Sequence, residues 1–324
     1  MLSEFDIIRQ CFDQEGLSAP ESEIVKAGIG DDCALLCIPA GKELAFSMDT
    51  LVADVHFPSS AEPALIGARA LSVNLSDLAA TGAEPCVFTL GITLPEADPD
   101  WLMAFAGGLK SVASRYNCAL IGGNISRGPL VITVQVHGLV EKGHAILRSG
   151  ASSGDKIFVT GSLGVAGLAL KYILGELDGF SAEEAALLHN AYFQPLPRIE
   201  AGLALAPLVS AGIDISDGLL ADLGHICQSS GAGAQITLPA VPVSALLTHR
   251  LSEQEALAMA MTAGDDYELL FTVPHEHEQS VMAISLELDV PIHCIGTMTS
   301  GSHVICKDAQ GAEISFEKDG YQHF

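Results

Sequence analysis

The chain has 324 residues, which is enough for two domains of typical size and for a large buried core. Its charge is strongly one-sided, because 15 lysines and arginines stand against 40 aspartates and glutamates, giving a net charge of −25. Such a surface repels nucleic-acid phosphates and anionic membranes, so we expect neither as a partner. If a protein of this charge handles phosphates, it must recruit metal cations.

The cysteines and the N-terminus indicate where the protein works. Eight cysteines are scattered without a CxxC pair, which is typical of buried thiols in a reducing cytosol. The first ten residues lack the basic segment of a signal peptide, and no uncharged apolar run reaches the ~18 residues of a membrane span. We therefore expect a cytoplasmic protein without a membrane segment.

The first half of the chain alternates predicted helices and strands around a glycine-rich loop. Ser3 is the expected N-cap of a short helix over residues 3–11, and the loop GIGDDCALLCI follows it. Apolar spacing predicts helices over 63–80 and 98–116, and strands over 33–38, 44–48, 87–94 and 130–136. Between the last two strands, Leu120-Ile121 leads into Gly122-Gly123-Asn124. Asp98 or Asp100 is the expected N-cap of the second long helix.

A turn-rich segment over 149–154 predicts a domain boundary, which we place between residues 148 and 149. Beyond it we predict helices over 165–174, 182–193, 198–210, 217–229, 253–263 and 276–287, and strands over 156–160, 213–215, 235–238, 267–273, 292–295 and 303–307. This order of elements is typical of mixed sheets with helices packed on them. We expect an α+β protein with domains 1–148 and 149–324.

Carboxylates gather at the ends of predicted strands, next to glycine or a small polar residue. The four clusters are Gly30-Asp31-Asp32, Ser47-Met48-Asp49, Asp214-Ile215-Ser216-Asp217-Gly218 and Gly264-Asp265-Asp266. Taken singly, each is better explained as a turn, a helix cap or a solvated loop. Taken together they suit hard cations such as Mg²⁺, since carboxylates brought close to one another repel unless a cation neutralises them.

Three further features bear on phosphate chemistry. Asp77 lies inside the predicted helix 63–80, on a polar stripe with Asn74 and Thr81. The glycine-rich turn over 161–167 could present backbone N–H groups to a phosphate, although a tight turn explains it better. Arg148 is a candidate phosphate contact in a chain with so few cations. The sequence contains no P-loop motif, and neither a nucleophile triad nor a zinc site can be assigned from it.

Several motifs together resemble those of the thiamine-monophosphate kinase family, within the aminoimidazole-ribonucleotide-synthetase-like superfamily. They are GIGDDCALL, ALSVNLSDLAATGAEP, IGGN, LRSGASSGD, IDISDGLLADLGHI and GDDYELLFTV, and they extend over nearly the whole chain. The resemblance implies transfer of the γ-phosphoryl group of ATP to thiamine monophosphate with several Mg²⁺ ions. It also implies a homodimer formed through the N-terminal domain, and an active site between the two domains.

The resemblance assigns roles to single residues as well. The implied magnesium ligands are Asp32, Ser47, Met48, Asp49, Asp77, Asn124, Asp214 and Asp217. The implied nucleotide contacts are Gly123, Arg148 and Ser216, and the implied thiamine contacts are His56, Asp265 and Tyr321. No side chain is expected to act as nucleophile or base, because the acceptor phosphate oxygen is already anionic.

Two other interpretations stay open at this point. The first is another ATP-using enzyme of the same superfamily, such as selenophosphate synthetase, which should show a reactive N-terminal cysteine near a lysine. Cys11 has no adjacent lysine, which speaks against that enzyme. The second is a protein that binds nucleotide or thiamine phosphate without turnover, with Asn124 as the sign of lost chemistry.

Asn124 generates a first prediction, because the family usually has an aspartate there and an amide oxygen lacks the charge. We expect an active enzyme that needs more Mg²⁺ than its Asn124→Asp variant does. Titrating the activity of both proteins with Mg²⁺ checks this, and the half-saturating concentration should fall in the variant. Superimposable titration curves would contradict it.

Overall fold

The computed structural model describes residues 4–321, and the chain divides into two compact units. The first unit comprises Met1–Leu78 and Ala83–Gly143, and the second comprises Ala79–Gly82 and His144–Phe324. Ser3, the expected N-cap, lies outside the described residues. The boundary that we place between residues 148 and 149 stays a prediction.

The described part of the chain starts with a short helix, as expected, followed by an irregular segment. Helix α1 (Glu4–Ile7) continues into a π-helical turn, Ile8–Phe12. Only Leu35–Leu36 (β2) is extended within the predicted strand 33–38, and it pairs antiparallel with Val25–Ala27 (β1). The sequence pattern missed β1, because three residues are too few to show an alternation of apolar and polar positions.

A four-stranded sheet carries the first unit. Its strands are β3 (Lys42–Val52), β4 (Glu84–Leu94), β5 (Ala119–Arg127) and β6 (Val131–Glu141), in the order β3-β6-β4-β5. Strand β6 runs antiparallel to both of its neighbours, whereas β4 and β5 are parallel. Along β6 the side chains of Ile132, Val134 and Val136 are buried and alternate with half-buried ones, so one face of the sheet borders the core.

Helices α2 (Pro63–Thr81) and α3 (Pro99–Tyr116) match the predicted 63–80 and 98–116 closely. Asp98 caps α3 as expected, with its carboxylate accepting from the backbone N–H of Asp100 at 3.0 Å. The two helices approach each other closely at glycines. A Cβ atom at Gly67 would lie 2.2 Å from the carbonyl oxygen of Phe105, so only glycine permits this crossing.

The second unit contains a seven-stranded sheet. Its strands are β7 (Lys156–Thr160), β8 (Ala211–Asp214), β9 (Gly233–Thr237), β10 (Leu269–Val273), β11 (Ile292–Thr299), β12 (Val304–Lys307) and β13 (Glu313–Ile314). Their order is β13-β12-β9-β11-β7-β10-β8, and every pair of neighbours is antiparallel except β12 and β9. The predicted α+β class with mixed sheets is confirmed.

The helices of this unit are α4 (Val165–Ile173), α5 (Ala182–Phe193), α6 (Ile199–Leu205), α7 (Leu219–Ser230), α8 (Ala245–Arg250), α9 (Glu253–Thr262) and α10 (Glu278–Glu287). Leu223 of α7 and Ala260 of α9 belong to one apolar core with Val159 and Ile213 of the sheet. The predicted helix 198–210 was too long, since α6 ends at Leu205 and Pro207 follows. Helix α8 was not predicted, because its six residues are too few to show a helical period.

None of the helices found between residues 4 and 321 is both long and apolar enough to cross a membrane.

The crossing of α2 and α3 generates a second prediction. A Cβ atom at Gly108 would lie 1.9 Å from the carbonyl oxygen of Ala64, whereas one at the neighbouring Gly107 would meet nothing within 4 Å. Gly108→Ala should therefore lower the free energy of unfolding by about 1–3 kcal/mol through overpacking. Gly107→Ala is the matched control and should raise it by about 0.5–1 kcal/mol through helix propensity. Urea denaturation of both variants measures the difference, and equal effects would contradict the crossing.

Candidate active site

The first group of predicted site residues lies where β3 meets α2. The Ser47 hydroxyl donates to Asp77 Oδ2 at 2.6 Å, and the Asp49 backbone N–H donates to Asn74 Oδ1 at 3.0 Å. Ser47 and Asp49 are two residues apart on the strand and so point to the same face. Asn74 and Asp77 are three apart on the helix and so share one side of it. The structure therefore brings together Ser47, Asp49 and Asp77, and Asn74 joins them.

The negative charges of Asp49 and Asp77 lie close together in this group. Burial, and then the nearby Asp77 carboxylate, raise the pKa of Asp49 from its usual 3.8 to about 6. Such a shift shows that the surroundings compensate the negative charge poorly. The hydroxyl and carboxylate oxygens of Ser47, Asp49 and Asp77 are the ligand type that Mg²⁺ prefers. The donor chemistry therefore fits this cation.

Asn124 does not lie with this group in the first unit. Asn124 on β5 pairs with Gly91 on β4, which pairs with Thr133 on β6, which in turn pairs with Thr50 on β3. Paired residues point to the same face of a sheet, so Asn124 lies on the face of Thr50, opposite to the face that carries Asp49. Three strand spacings of about 4.8 Å separate β5 from β3, or about 14 Å. The Asn124 amide donates instead to the hydroxyl of Ser126 at 3.1 Å.

Two other implied magnesium ligands are exposed. Asp32 is exposed, in the loop between β1 and β2. Met48 is 59% exposed and lies between Ser47 and Asp49 on the strand, so its side chain points to the opposite face.

His56 and Gly123 each have a local structural role. The backbone N–H of Val52 donates to His56 Nδ1 at 2.9 Å, so a neutral His56 carries its proton on Nε2. A Cβ atom at Gly123 would lie 1.9 Å from the carbonyl oxygen of Leu90. The parallel pairing of β5 with β4 therefore requires this glycine whether or not a nucleotide binds.

The second group of predicted residues surrounds the loop between β8 and α7. Asp214 ends β8 and is buried, and Ser216 and Asp217 follow it. Asp222, in the first turns of α7, accepts hydrogen bonds from the backbone N–H groups of Ser216, Asp217 and Gly218, each at 3.1 Å. The simple explanation of Asp217 as a helix cap is wrong, because the cap position of α7 is Gly218 and no side chain within residues 4–321 caps this helix.

Asp222 is not among the residues predicted from the sequence. A carboxylate four residues after Gly218, in the first turns of a predicted helix, was a usable signal. Burial, and then the Asp217 charge, raise the pKa of Asp222 to about 7. Asp217, Asp222 and His225 can each offer one ligand atom, and these atoms lie within 4.8 Å of one another. This loop is the second place where carboxylates crowd together.

Two of the implied substrate contacts flank the same loop. The backbone N–H of Asp265 donates to Ser216 O at 2.9 Å, and that of Tyr321 donates to Asp217 O at 3.0 Å. A Cβ atom at Gly264 would lie 2.2 Å from Ser216 O, so glycine makes this approach possible. The structure thus gathers Asp214, Ser216, Asp217, Asp265 and Tyr321 around one loop. Separately, Arg148 is exposed.

The glycine-rich turn over 161–167 is satisfied by the protein itself. Asp266 accepts from the backbone N–H of Gly164 at 2.7 Å and of Ala166 at 3.4 Å, at the start of α4. Burial raises the pKa of Asp266 to about 8, although these two hydrogen bonds lower it. Since Asp266 occupies the N–H groups that a phosphate would need, the tight-turn explanation of this segment is favoured.

Comparison with known proteins places the chain in a class. Residues 30–140 match the family model for the N-terminal domain of AIR synthase related protein, and residues 152–308 match the model for its C-terminal domain. The two mixed sheets and the carboxylate-rich loops thus belong to a protein of the AIR synthase related class.

Individual relatives narrow this class. Thiamine-monophosphate kinase of Escherichia coli strain K12 is 43% identical over 321 residues, which cover 99% of this chain and 98% of that protein. The crystal structure of thiamine-monophosphate kinase from Stenotrophomonas maltophilia K279a is 40% identical, with a TM-score of 0.83 over 88% of this chain and 92% of that one. A structure described as AaThiL complexed with AMPPCP and TMP is 31% identical, with a TM-score of 0.78 and 89% of each chain covered. The chain belongs to the thiamine-monophosphate kinase family, so the resemblance seen in its motifs is confirmed.

The raised pKa of Asp49 generates a third prediction. The folded protein holds this proton more tightly than the unfolded chain, so the contribution of Asp49 to stability falls as pH rises from 3.8 to about 6. Without metal, Asp49→Asn should therefore increase the free energy of unfolding by up to about 3 kcal/mol at pH 7.5, and by nothing near pH 3.5. Urea denaturation at both pH values measures this. The exposed Asp100→Asn is the control, and a gain for Asp49→Asn that does not depend on pH would contradict the prediction.

Proposed function

We propose that this protein phosphorylates thiamine monophosphate with ATP and releases thiamine diphosphate. The observation that carries the proposal is the crowding of carboxylates at two places, in a chain that belongs to the thiamine-monophosphate kinase family over nearly its whole length. A chain of net charge −25 can bring two phosphorylated substrates together only with bound cations.

The reaction needs charge control more than proton transfer. The acceptor is a phosphate oxygen that is already anionic at neutral pH, so no side chain has to act as base. The difficulty is the repulsion between the two phosphorylated substrates. When bound, Mg²⁺ supplies the neutralising charge and a template for in-line transfer. Ser47, Asp49 and Asp77 would hold it in the first unit, and Asp214 and Asp217 in the second.

The protein's own contacts keep these ligands in place. Asn74 donates to the Ala70 carbonyl at 2.8 Å and accepts from the Asp49 backbone, and this holds β3 against α2. In the second unit, Asp222 fixes the backbone of the 216–218 loop through its three hydrogen bonds. A pre-arranged ligand set needs little reorganisation when the substrates arrive.

The substrate contacts follow from charge and shape. Arg148 is exposed and offers a cation to the phosphates of ATP. Asp265 and Tyr321, at the 216–217 loop, offer a carboxylate and an aromatic ring to the cationic thiazolium of thiamine monophosphate. Thiamine without its phosphate should be a poor substrate, because its hydroxyl is a weak nucleophile and does not contact the cations.

The exposed face of β3 supports a homodimer formed through the first unit. Leu44, Phe46 and Met48 alternate along this edge strand and are 38%, 64% and 59% exposed. A row of apolar side chains on an open sheet face is the kind of surface that a second copy covers.

The direct test is an assay of thiamine diphosphate, detected as its fluorescent thiochrome, with purified protein, ATP, Mg²⁺ and thiamine monophosphate. Product should depend on both ATP and Mg²⁺. Asp77→Asn should lower kcat by about 100-fold or more, because the site loses a charged ligand. Asp100→Asn, which changes an exposed carboxylate in the first turn of α3, should retain wild-type activity. Binding of both substrates without product would identify a non-catalytic binding protein instead.

A further inference from the structure

The segment 264–268 between α9 and β10 has a backbone that ordinary residues avoid. Asp265 and Tyr267 have φ angles of 69° and 51°, in the left-handed region that is unfavourable for residues with a side chain. Their backbone N–H groups nevertheless donate to Ser216 O and Ile215 O, both at 2.9 Å. The strained segment therefore extends the pairing of β10 with β8 and sets Asp265 against the carboxylate-rich loop.

Side chains of this segment alternate between two surroundings. The Tyr267 hydroxyl donates to Asp265 Oδ1 at 3.0 Å, so these two residues form a pair beside the 215–217 loop. Asp266, between them, binds the start of α4. Glu268 makes its contacts with Arg198 and Thr160. Two carboxylates thus anchor the segment to the rest of the unit, while Asp265 stands at the proposed site.

Glu268 is the more completely held of the two anchors. Arg198 Nε donates to Oε2 at 2.6 Å and Nη2 donates to Oε1 at 2.5 Å, which is a two-pronged ion pair. Thr160 Oγ1 donates to Oε2 at 2.5 Å and accepts from the Leu269 N–H at 2.8 Å. The side chains of Glu268 and Arg198 are only 10% and 22% exposed. A Cβ atom at Gly161 would lie 2.0 Å from Glu268 Oε1, so the neighbouring turn is shaped around this carboxylate.

An ion pair in such a place needs a reason other than stability. Apolar residues of similar volume often stabilise a protein as well as a buried ion pair or better. A paired guanidinium and carboxylate differ from apolar residues in that two parallel hydrogen bonds fix the orientation of both side chains.

We propose that Arg198 is a positioning residue for the acceptor substrate. Through Glu268 it holds Asp265 and Tyr267 in the left-handed conformation in which Asp265 receives thiamine monophosphate. The inference rests on the proposed function for its substrate, but the geometry of segment 264–268 does not depend on that function.

Kinetics of Arg198→Met test the proposal. The KM for thiamine monophosphate should rise about tenfold, while the KM for ATP and kcat stay within about twofold, since only the acceptor contact is displaced. The matched control is Asp155→Asn. Asp155 is buried to the same degree as Glu268. It accepts from Ser152 N at 2.9 Å and Ser210 Oγ at 2.6 Å, at the opposite end of β7 from Thr160. This variant should lower Tm and leave both KM values unchanged.

Amide hydrogen exchange measures the backbone of segment 264–268 independently of substrate binding. The N–H groups of Asp265 and Tyr267 should exchange faster in Arg198→Met than in wild type, and at the wild-type rate in Asp155→Asn. The double variant Arg198→Met/Glu268→Met should recover Tm without recovering the KM for thiamine monophosphate.

Three results would overturn the proposal: unchanged exchange at these amides in Arg198→Met, an unchanged KM for thiamine monophosphate, or an equal rise in both KM values. Wild-type protein that does not turn over thiamine monophosphate would overturn the proposed function instead. In that case the exchange measurement still decides whether Arg198 positions the segment.

Discussion

Repulsion between neighbouring carboxylates is the constraint on which the rest of this structure depends. Ser47, Asp49 and Asp77 meet in one unit and Asp217 and Asp222 in the other, and in each place one acid has a raised pKa, about 6 for Asp49 and about 7 for Asp222. A protein has no reason of stability to gather such charges. The repulsion between these carboxylates is explained if they are arranged to bind a cation together with phosphorylated substrates.

The fold supports this arrangement with rigid backbone contacts. Strand β3 and helix α2 are joined by hydrogen bonds from Ser47 and Asp49, and Gly264 approaches Ser216 so closely that no side chain fits. Asp222 and Asp266 also contribute, since each accepts hydrogen bonds from backbone N–H groups at or just before the start of a helix. Some of the acidic residues therefore hold the loops that carry the site.

Sequence alone predicted the parts that depend on local patterns. The helix over 63–80 was right almost to the residue because its apolar spacing is regular. Sequence position limited the cap of the second long helix to Asp98 or Asp100, and Asp98 is the cap. Asn74 and Asp77 of the predicted polar stripe accept hydrogen bonds from residues of β3. The face on which Asn124 lies was not predictable, because it depends on a register through three other strands. The anchoring role of Glu268 was hidden for the same reason, since its partner Arg198 is 70 residues away in the chain.

If the crowded carboxylates form a cation site, Mg²⁺ binding should release protons from them, and measuring this release is the most direct test. Because the pKa of Asp49 is about 6, a bound cation should expel its proton near that pH. Titration calorimetry at pH 6, in two buffers of different ionisation enthalpy, measures the number of protons released. We expect release from the wild type that is reduced in Asp49→Asn. Mg²⁺ binding with the same proton release in both proteins, or no Mg²⁺ binding, would contradict the account.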